Sequence, residues 1–343
     1  MFLPDTSPDL LLTGGTAMKP PSRALSEKGG DSGIQAVPLH VRVIATRIDC
    51  RWHNWSVLQL LTARFTYRDE AGWRERLAAG EFTIDGKTAS AEDILQDGMT
   101  LQYHPSDLQE PEVDLRYSVC YEDDALLVID KSGDLPVHPA GVFYYHTLWY
   151  LLAEKYGTIH PVNRLDRETS GLLVVARTPE AAARLAADSW QKEYFALVHG
   201  HFTEVIDAEG TLVRDTASPV RRKRKYIHGG TEGESCRTLL IPEQLFPAHS
   251  LVKAKLFTGR MHQIRATLYS LGYPLAGDKL YGVDDTLFIK RAKEGSLTED
   301  DYLKLGMKRQ ALHSASLTFR HPESGQEMTF HSPLPEDMRR ACR

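Results

Sequence analysis

Cysteine is scarce in this sequence. Its 343 residues include four cysteines, Cys50, Cys120, Cys236 and Cys342, and no two of them form a CxxC pair. This spacing supports neither a disulfide framework nor a cysteine-rich zinc site, and it favours a reducing compartment. No stretch reaches the roughly 18 apolar residues that a bilayer crossing needs, and no signal peptide is evident. We therefore expect a cytoplasmic protein that does not enter the membrane.

Several motifs that mark common enzymes are also missing. The patterns GxxxxGK[ST], GxGxxG, HExxH and GxSxG do not occur, and the 14 histidines include no pair at metal-ligand spacing with a carboxylate. We therefore expect no metal and no cofactor. The 41 Lys and Arg residues are outnumbered by 46 Asp and Glu, which gives a net charge of -5. RNA binding would thus have to come from local basic patches.

Composition divides the chain into four segments. Residues 1–37 are rich in Pro, Gly, Ser, Thr and Lys without hydrophobic periodicity, which predicts a disordered tail. Residues 38–104 combine an apolar run at 57–65, a helical pattern at 73–79, a strand at 81–84 and the hairpin turn Asp85-Gly86, so they predict a small α+β module. Residues 105–120 belong to an acidic stretch with prolines and predict a linker. Residues 121–343 form the main domain.

The main domain shows strands and helices at uneven spacing. Strands are predicted at 125–129, 172–176, 195–198 and 251–257, and helices at 147–156, 179–190 and 261–271. Regular βαβ repeats would need more even spacing. We therefore predict an α+β fold with a mostly antiparallel mixed sheet.

The first candidate site precedes the apolar strand at 172–176. Asp166 lies between Arg164 and Arg167 in the segment NRLDRETSG, which spans 163–171. Flanking cations lower the pKa of a carboxyl group, so Asp166 could act as a nucleophile or base. A structural ion-pair turn explains the same residues, and from these residues alone it is the favoured interpretation.

The second candidate site is the segment TGRMHQIR at 258–265. It follows a predicted strand, and Ile264 and Leu268 begin an apolar helical stripe. A helix start that follows Gly and carries Arg and His is suited to phosphate or carboxylate. A solvated basic helix face accounts for the pattern equally well.

Taken in order, these segments resemble the RluA-type family of RNA pseudouridine synthases. The resemblance spans about 121–335 and includes Arg164 to Arg167, Thr169 to Leu173, Lys192 to Tyr194, Thr258 to Arg265, Gly272 to Leu275, Gly277-Asp278 and Tyr281-Gly282. Two positions depart from the family pattern. Asn163 stands where the family usually has His, and Lys131-Ser132-Gly133 stands where Lys-Pro-x-Gly is usual.

The resemblance implies roles for three residues in breaking the glycosidic bond of a uridine and rejoining the base through carbon. Asp166 matches the nucleophile and Arg265 the partner of the aspartate. Tyr194 matches the tyrosine that stacks on the flipped base and is a candidate to assist proton removal from the rotated product. Arg164 matches the residue that fills the space left by the base. The expected substrate-binding set also includes Arg167, Lys192, Leu256, Arg260, His262 and Gln263. No cofactor takes part in this family's reaction.

The expected partner is structured RNA, and we expect the protein to be a monomer. The first module resembles an S4-type RNA-binding domain through Arg76-Leu77, the segment 80–87 and Asp97-Gly98. A basic run is interpreted as a phosphate contact rather than a solvated loop. It consists of Arg221, Arg222, Lys223, Arg224 and Lys225.

Two other functions stay open, and the RNA is not fixed. A catalytically silent RNA-binding protein could keep the same fold. A carboxylate-dependent glycosidase would need a second acid, for which Glu168 is the candidate. For the RNA we slightly favour transfer RNA over large-subunit ribosomal RNA, because 136–141 and 145–147 look more like the branch of the family that modifies the anticodon stem-loop.

Overall fold

The computed structural model describes residues 43–65, 68–106, 110–284 and 286–342, without the side chains of 292–294. The predicted disordered tail at 1–37 lies outside the described residues. Within them, no helix is long and apolar enough to span a bilayer.

A small sheet and two helices form the first module. Its elements are β1 (Ile44–Arg47), α1 (Val57–Arg64), α2 (Glu70–Ala78), β2 (Phe82–Ile84), β3 (Lys87–Thr88) and β4 (Thr100–Tyr103), with a sheet order β1-β4-β2-β3. The predicted Asp85-Gly86 turn is present, and both residues have positive φ, 47° and 82°. Two positive φ angles define the tight turn that joins twisted antiparallel strands. Trp73, Phe82 and Tyr103 fill a core that belongs to this module.

The larger sheet has eleven strands among the described residues. They are β5 (Tyr117–Glu122), β6 (Leu126–Lys131), β7 (His160–Pro161), β8 (Ser170–Ala176), β9 (Gln191–His199), β10 (Ile206–Arg214), β11 (Arg224–His228), β12 (Glu234–Leu245), β13 (His249–Leu256), β14 (Leu312–Arg320) and β15 (Glu327–His331). Their main order is β11-β10-β12-β13-β9-β14-β8-β6-β5, with β15 on β14 and β7 on β8. The β8–β14 pair is parallel, and the other described pairs in the sheet are antiparallel. The predicted α+β fold with a mostly antiparallel sheet is confirmed.

Six further helices accompany this sheet in the described residues. They are α3 (Leu148–Tyr156), α4 (Pro179–Ala187), α5 (Gln263–Ser270), α6 (Thr286–Glu294), α7 (Glu299–Leu305) and α8 (Glu336–Ala341). Leu152 of α3 and Leu268 of α5 pack in a core on one side of the sheet. Leu185 of α4 packs in a second core, on the alternate residues of β6 and β8. Both faces of these central strands are therefore covered, which explains their continuous apolar runs.

Three predicted boundaries differ from the structure. The linker was expected to reach residue 120, but β5 already begins at Tyr117 and pairs with β6. Helix α4 ends at Ala187 rather than 190, since Asp188 is extended and the Trp190 indole donates to the Leu185 carbonyl. Helix α5 begins at Gln263 rather than 261, because His262 adopts a left-handed conformation with φ 57°.

Candidate active site

Three elements bring the expected catalytic side chains to one region. Asp166 lies in the loop between β7 and β8, Tyr194 on β9 and Arg265 on α5. Leu165 is buried in the main core and anchors the loop beside Asp166. Where β8 begins, Gly171 has φ 102°, and a Cβ there would lie 2.3 Å from the Ser314 carbonyl oxygen. Glycine thus permits the parallel approach of β14 just behind the loop.

Arg265 joins two carboxylates. Its Nη1 donates to Asp166 Oδ2 over 2.6 Å, while Nε and Nη2 donate to the two oxygens of Asp278 over 2.6 and 2.9 Å. Asp278 is fully buried and also accepts from the backbone N–H groups of Leu280 and Tyr281. This bidentate pair fixes the guanidinium plane, and an N–H of Nη1 is directed at Asp166.

Asp166 is ionised and partly open. Burial acts to raise its pKa. The positive charges of Arg265 and of a protonated His262, together with the hydrogen bonds from Arg265 and Gln310, outweigh burial and lower the pKa of Asp166 to about 2. About 35% of the side chain stays exposed. A carboxylate that is charged, oriented and accessible has the properties of a nucleophile.

The loop that carries Asp166 is held by three side chains, which contact two backbone carbonyls and the Thr169 side chain. Lys131 Nζ donates to the Arg167 carbonyl (3.1 Å), Arg309 Nη1 donates to the Glu168 carbonyl (3.1 Å), and Gln310 Nε2 donates to Thr169 Oγ1 (2.6 Å). Gln310 Nε2 also lies 3.4 Å from Asp166 Oδ2. These contacts leave the loop little freedom around Asp166.

Sequence reasoning assigned no role to Asp278, Gln310 or Arg309. Asp278 appeared only as part of the Gly277-Asp278 motif. This motif is the sequence signal that could have drawn attention to Asp278. Gln310 and Arg309 stand more than 140 residues from Asp166 in sequence and belong to no motif that we identified. Only the pairing of β14 with β8 brings them to the loop.

Glu168 does not fit a general acid. Its carboxylate accepts from Lys279 Nζ (2.7 Å), Arg291 Nη1 (2.5 Å) and the backbone N–H of Gln310 (3.1 Å). Although burial acts to raise its pKa, Lys279 and Arg291 lower it. Glu168 therefore stays charged, and the structure corrects its proposed role as the second acid of a glycosidase.

Tyr194 is buried next to the charged aspartate. Burial is the main cause that raises its pKa to about 12, and the negative charge of Asp166 adds to the shift. Its phenol is consequently protonated at neutral pH. This argues against a free phenolate base, whereas stacking on a base requires only the ring.

The other residues of the expected substrate-binding set differ in their exposure and in their contacts. Arg164 is exposed, and Arg167 is held by Asp134 (2.6 Å) with its guanidinium over the Phe143 ring. Lys192 and Leu256 are paired across β9 and β13, and Lys192 Nζ approaches Gly259. Arg260 is exposed and donates through Nε to the Ser235 carbonyl.

Gln263 is corrected from a substrate contact to a structural residue. Its Oε1 accepts from Thr258 Oγ1 and from the Arg260 N–H, and its Nε2 donates to the Arg237 carbonyl and to Thr238 Oγ1. Both amide protons are therefore used within the protein. Gln263 holds the turn that precedes α5.

The basic run is not a uniform surface. Arg221, Arg222 and Lys225 are exposed, and Arg224 is half-buried. Lys223 is only 2% exposed, and its Nζ lies over the Tyr269 ring (4.6 Å) and 3.9 Å from Asp215. Lys223 thus faces inward, which corrects its expected contact with phosphate.

Comparison with known proteins identifies the family. A model of the RNA pseudouridylate synthase family matches residues 125–270. Over 282 residues the chain is 33% identical to the ribosomal large subunit pseudouridine synthase D of Xanthomonas campestris, covering 78% of this chain and 81% of that protein. The chain belongs to the RluA-type family of RNA pseudouridine synthases. As a member of that family it is an isomerase.

Other proteins named as pseudouridine synthases also match, and one of them is named for a different RNA. Over 290 residues the synthase is 33% identical to the ribosomal large subunit pseudouridine synthase D of Pseudomonas aeruginosa, covering 78% of this chain and 83% of that one. It is 32% identical to the mitochondrial tRNA pseudouridine(32) synthase of Saccharomyces cerevisiae, covering 68% of this chain and about half (52%) of that relative. Human RNA Pseudouridylate Synthase Domain Containing 1 matches with a TM-score of 0.48 and 24% identity, over 66% of this chain and 86% of that one.

Proposed function

We propose that this synthase isomerises uridines in structured RNA with Asp166 as the nucleophile and without a cofactor. The observation that carries the proposal is the Asp278–Arg265–Asp166 chain of ion pairs, because it keeps the Asp166 carboxylate charged and oriented at a partly open site. Each carboxylate in this region already faces a cation within the protein. The reaction that we propose therefore needs no further cation to hold these groups in place.

Two further residues complete the proposed site. Tyr194 stacks on the flipped uracil, which suits a buried ring on a rigid strand. Arg164 enters the space that the base leaves in the RNA. Support for this role comes from its exposure two residues from Asp166, and from the absence of a hydrogen-bond or ion-pair partner for its side chain among the described residues.

RNA binding is proposed to extend beyond the catalytic loop. Arg221, Arg222 and Lys225 contribute phosphate contacts, and Arg224 reaches the same edge of the sheet through β11. The first module, which we propose spans 38–104, adds S4-like RNA contacts, and the main domain includes everything from β5 onward. The monomeric state and the cytoplasmic location stay predictions.

Transfer RNA remains the proposed substrate class. The sequence features at 136–141 and 145–147 favour it, and the yeast relative is named as a tRNA pseudouridine(32) synthase. Large-subunit ribosomal RNA is the second candidate, because the Xanthomonas and Pseudomonas relatives carry that name.

Substitution of the nucleophile tests the proposed mechanism. We expect Asp166→Asn to abolish pseudouridine formation in purified enzyme while RNA affinity stays within a few-fold of wild type, because the amide has the same size but is not a carboxylate nucleophile. The assay is pseudouridine mapping of RNA after incubation. Asp215→Asn is the matched control, since Asp215 lies near the basic run and not at the loop. Turnover by Asp166→Asn would refute the assignment, and a wild-type protein without turnover would restore the silent RNA-binding alternative.

A further inference from the structure

His262 and Tyr281 form a buried pair beside the catalytic aspartate. Tyr281 is completely buried, and its hydroxyl accepts a hydrogen bond from the backbone N–H of Arg224 over 2.7 Å. The same hydroxyl lies 3.0 Å from Nδ1 of His262. The Arg265 guanidinium lies 4.9 Å from the centre of the Tyr281 ring. Tyr281 therefore contacts both a residue of the basic run and the site.

The hydroxyl proton of Tyr281 determines which nitrogen of His262 carries a proton. A buried hydroxyl donates its single proton to an acceptor, and among the described residues His262 Nδ1 is the acceptor within reach. The Arg224 N–H already fills one acceptor position on the oxygen. Nδ1 therefore accepts, and the proton of a neutral His262 ring lies on Nε2.

The His262 ring is neutral at physiological pH. Burial is the main cause, and the positive charge of Arg265 adds to it, so the pKa of His262 falls to about 4 despite the nearby carboxylates of Asp166 and Asp278. The ring is therefore a donor through one nitrogen and an acceptor through the other.

The Nε2–H group is directed at the site without being used by the protein. Nε2 lies 3.9 Å from Asp166 Oδ1, which is beyond hydrogen-bond distance. No described residue accepts from it. His262 also holds a left-handed backbone conformation, φ 57° and ψ 21°, which is costly for a residue other than glycine. The surrounding contacts thus keep an unusual backbone geometry that places this donor next to Asp166.

We propose that His262 donates its Nε2–H to a carbonyl oxygen of the target uracil, and that Tyr281 is the positioning residue that fixes this tautomer. The proposal rests on the proposed function, because it needs a uridine bound at Asp166. Uracil offers two carbonyl oxygens as acceptors. When the base detaches, negative charge spreads onto these oxygens, so a neutral donor that is already oriented stabilises the detached base. No proton is transferred in this contact.

The tautomer can be measured without turnover. In nitrogen-15 spectra of histidine-labelled enzyme at pH 7, the ring signals that are present in wild type and missing in His262→Asn should be those of an Nε2-protonated ring. Asn is chosen because it tolerates a left-handed backbone. Tyr281→Phe should shift that ring toward the other tautomer or a mixture. The matched control is Tyr269→Phe, since the Tyr269 ring packs on Tyr281 and its hydroxyl has no hydrogen bond to His262. An Nδ1-protonated or doubly protonated His262 in wild type would overturn the proposal.

Kinetics then test the contact with substrate. Since a typical hydrogen bond is modest, we expect His262→Asn and Tyr281→Phe each to lower kcat about two- to tenfold with KM for RNA little changed. Tyr269→Phe should match wild type, and His262→Gln, whose amide N–H reaches farther from the backbone than that of Asn, should recover part of the loss. Equal rates for Tyr281→Phe and Tyr269→Phe would refute the positioning role.

Modified RNA identifies the acceptor. The RNA is the transfer RNA transcript, or the ribosomal transcript if only that one reacts, with 2-thiouridine or 4-thiouridine at the target. Sulfur accepts hydrogen bonds poorly, so one of the two should slow wild type, and the slowing should shrink in His262→Asn. If the 2-thiouridine RNA and the 4-thiouridine RNA each slowed wild type and His262→Asn to the same extent, the proposed contact would be refuted. If Asp166→Asn retained turnover, the proposed mechanism would fail while the tautomer measurement still stood on its own.

Discussion

At the scale of single residues, the site depends on a guanidinium shared by two carboxylates of different exposure. Asp278 is fully buried and Asp166 is partly open. A buried carboxylate is costly unless its lone pairs are filled, and Asp278 has Arg265 and two backbone N–H groups to fill them. Asp278 thus holds the cation, and the Asp166 carboxylate stays partly exposed.

Loss of the buried carboxylate should affect both stability and turnover. We expect Asp278→Asn to reduce the free energy of unfolding by about 3 kcal/mol, because breaking a buried pair leaves Arg265 only partly compensated. Turnover should fall because Arg265 no longer has a fixed plane. The measurements are chemical denaturation and pseudouridine formation. Asp207→Asn is the control, since its bidentate pair with Arg237 is exposed and such pairs contribute little. Equal effects of the two substitutions would contradict this account.

Acid should unfold the enzyme before it neutralises the Asp166 carboxylate. The lowered pKa of Asp166, about 2, keeps it charged well below pH 5, and its contribution to stability is lost only as pH falls through that value. Burial lowers the pKa of His138, His199, His249, His262 and His313, so the unfolded chain binds more protons between about pH 6.5 and 4. We expect Tm to fall over this range while kcat/KM of the folded enzyme stays flat from pH 6.5 to 5. An apparent pKa inside that interval would contradict the prediction.

At the scale of elements, local patterns predicted what local forces determine. The Asp85-Gly86 turn, the helix that begins at Pro179 and the apolar run of β8 were each predicted from neighbouring residues, and each is found. Asn163 shows the limit of this reasoning. It departs from the family pattern, and only the structure shows that its Oδ1 accepts from the Val174 N–H. Likewise, five consecutive bases gave no sign that Lys223, which directly precedes β11, would face inward and lie over the Tyr269 ring.

The inward position of Lys223 makes the basic run testable residue by residue. We expect Arg221→Gln, Arg222→Gln and Lys225→Gln each to reduce the slope of log affinity against log salt by about 0.7 to 0.9 if that residue contacts a phosphate. Lys223→Gln should leave the slope unchanged, because its ammonium lies over Tyr269. RNA affinity measured at several salt concentrations gives the slopes. An unchanged slope for the three exposed residues would make the run a solvated loop.

At the scale of the whole molecule, the features at 136–141 and 145–147 that favour transfer RNA lie in sequence between the expected linker and the loop that carries Asp166. Glu110 accepts from the backbone N–H groups of Tyr145 and His146, both over 2.8 Å. The Phe143 ring lies under the guanidinium of Arg167, and Arg167 directly follows Asp166 in the sequence. The part of the chain that holds these features therefore contacts the loop that carries Asp166.

The choice of RNA is the last prediction. Because the features at 136–141 and 145–147 favour the transfer RNA branch, we expect purified enzyme offered unmodified transfer RNA and unmodified large-subunit ribosomal RNA together to form pseudouridine in the transfer RNA. Asp166→Asn serves as the blank for both RNAs, and mapping at nucleotide resolution locates the product. Product in the ribosomal RNA alone would overturn the choice of substrate. It would leave Asp166 in its role, since the same carboxylate and the same Arg265 pair would serve either RNA.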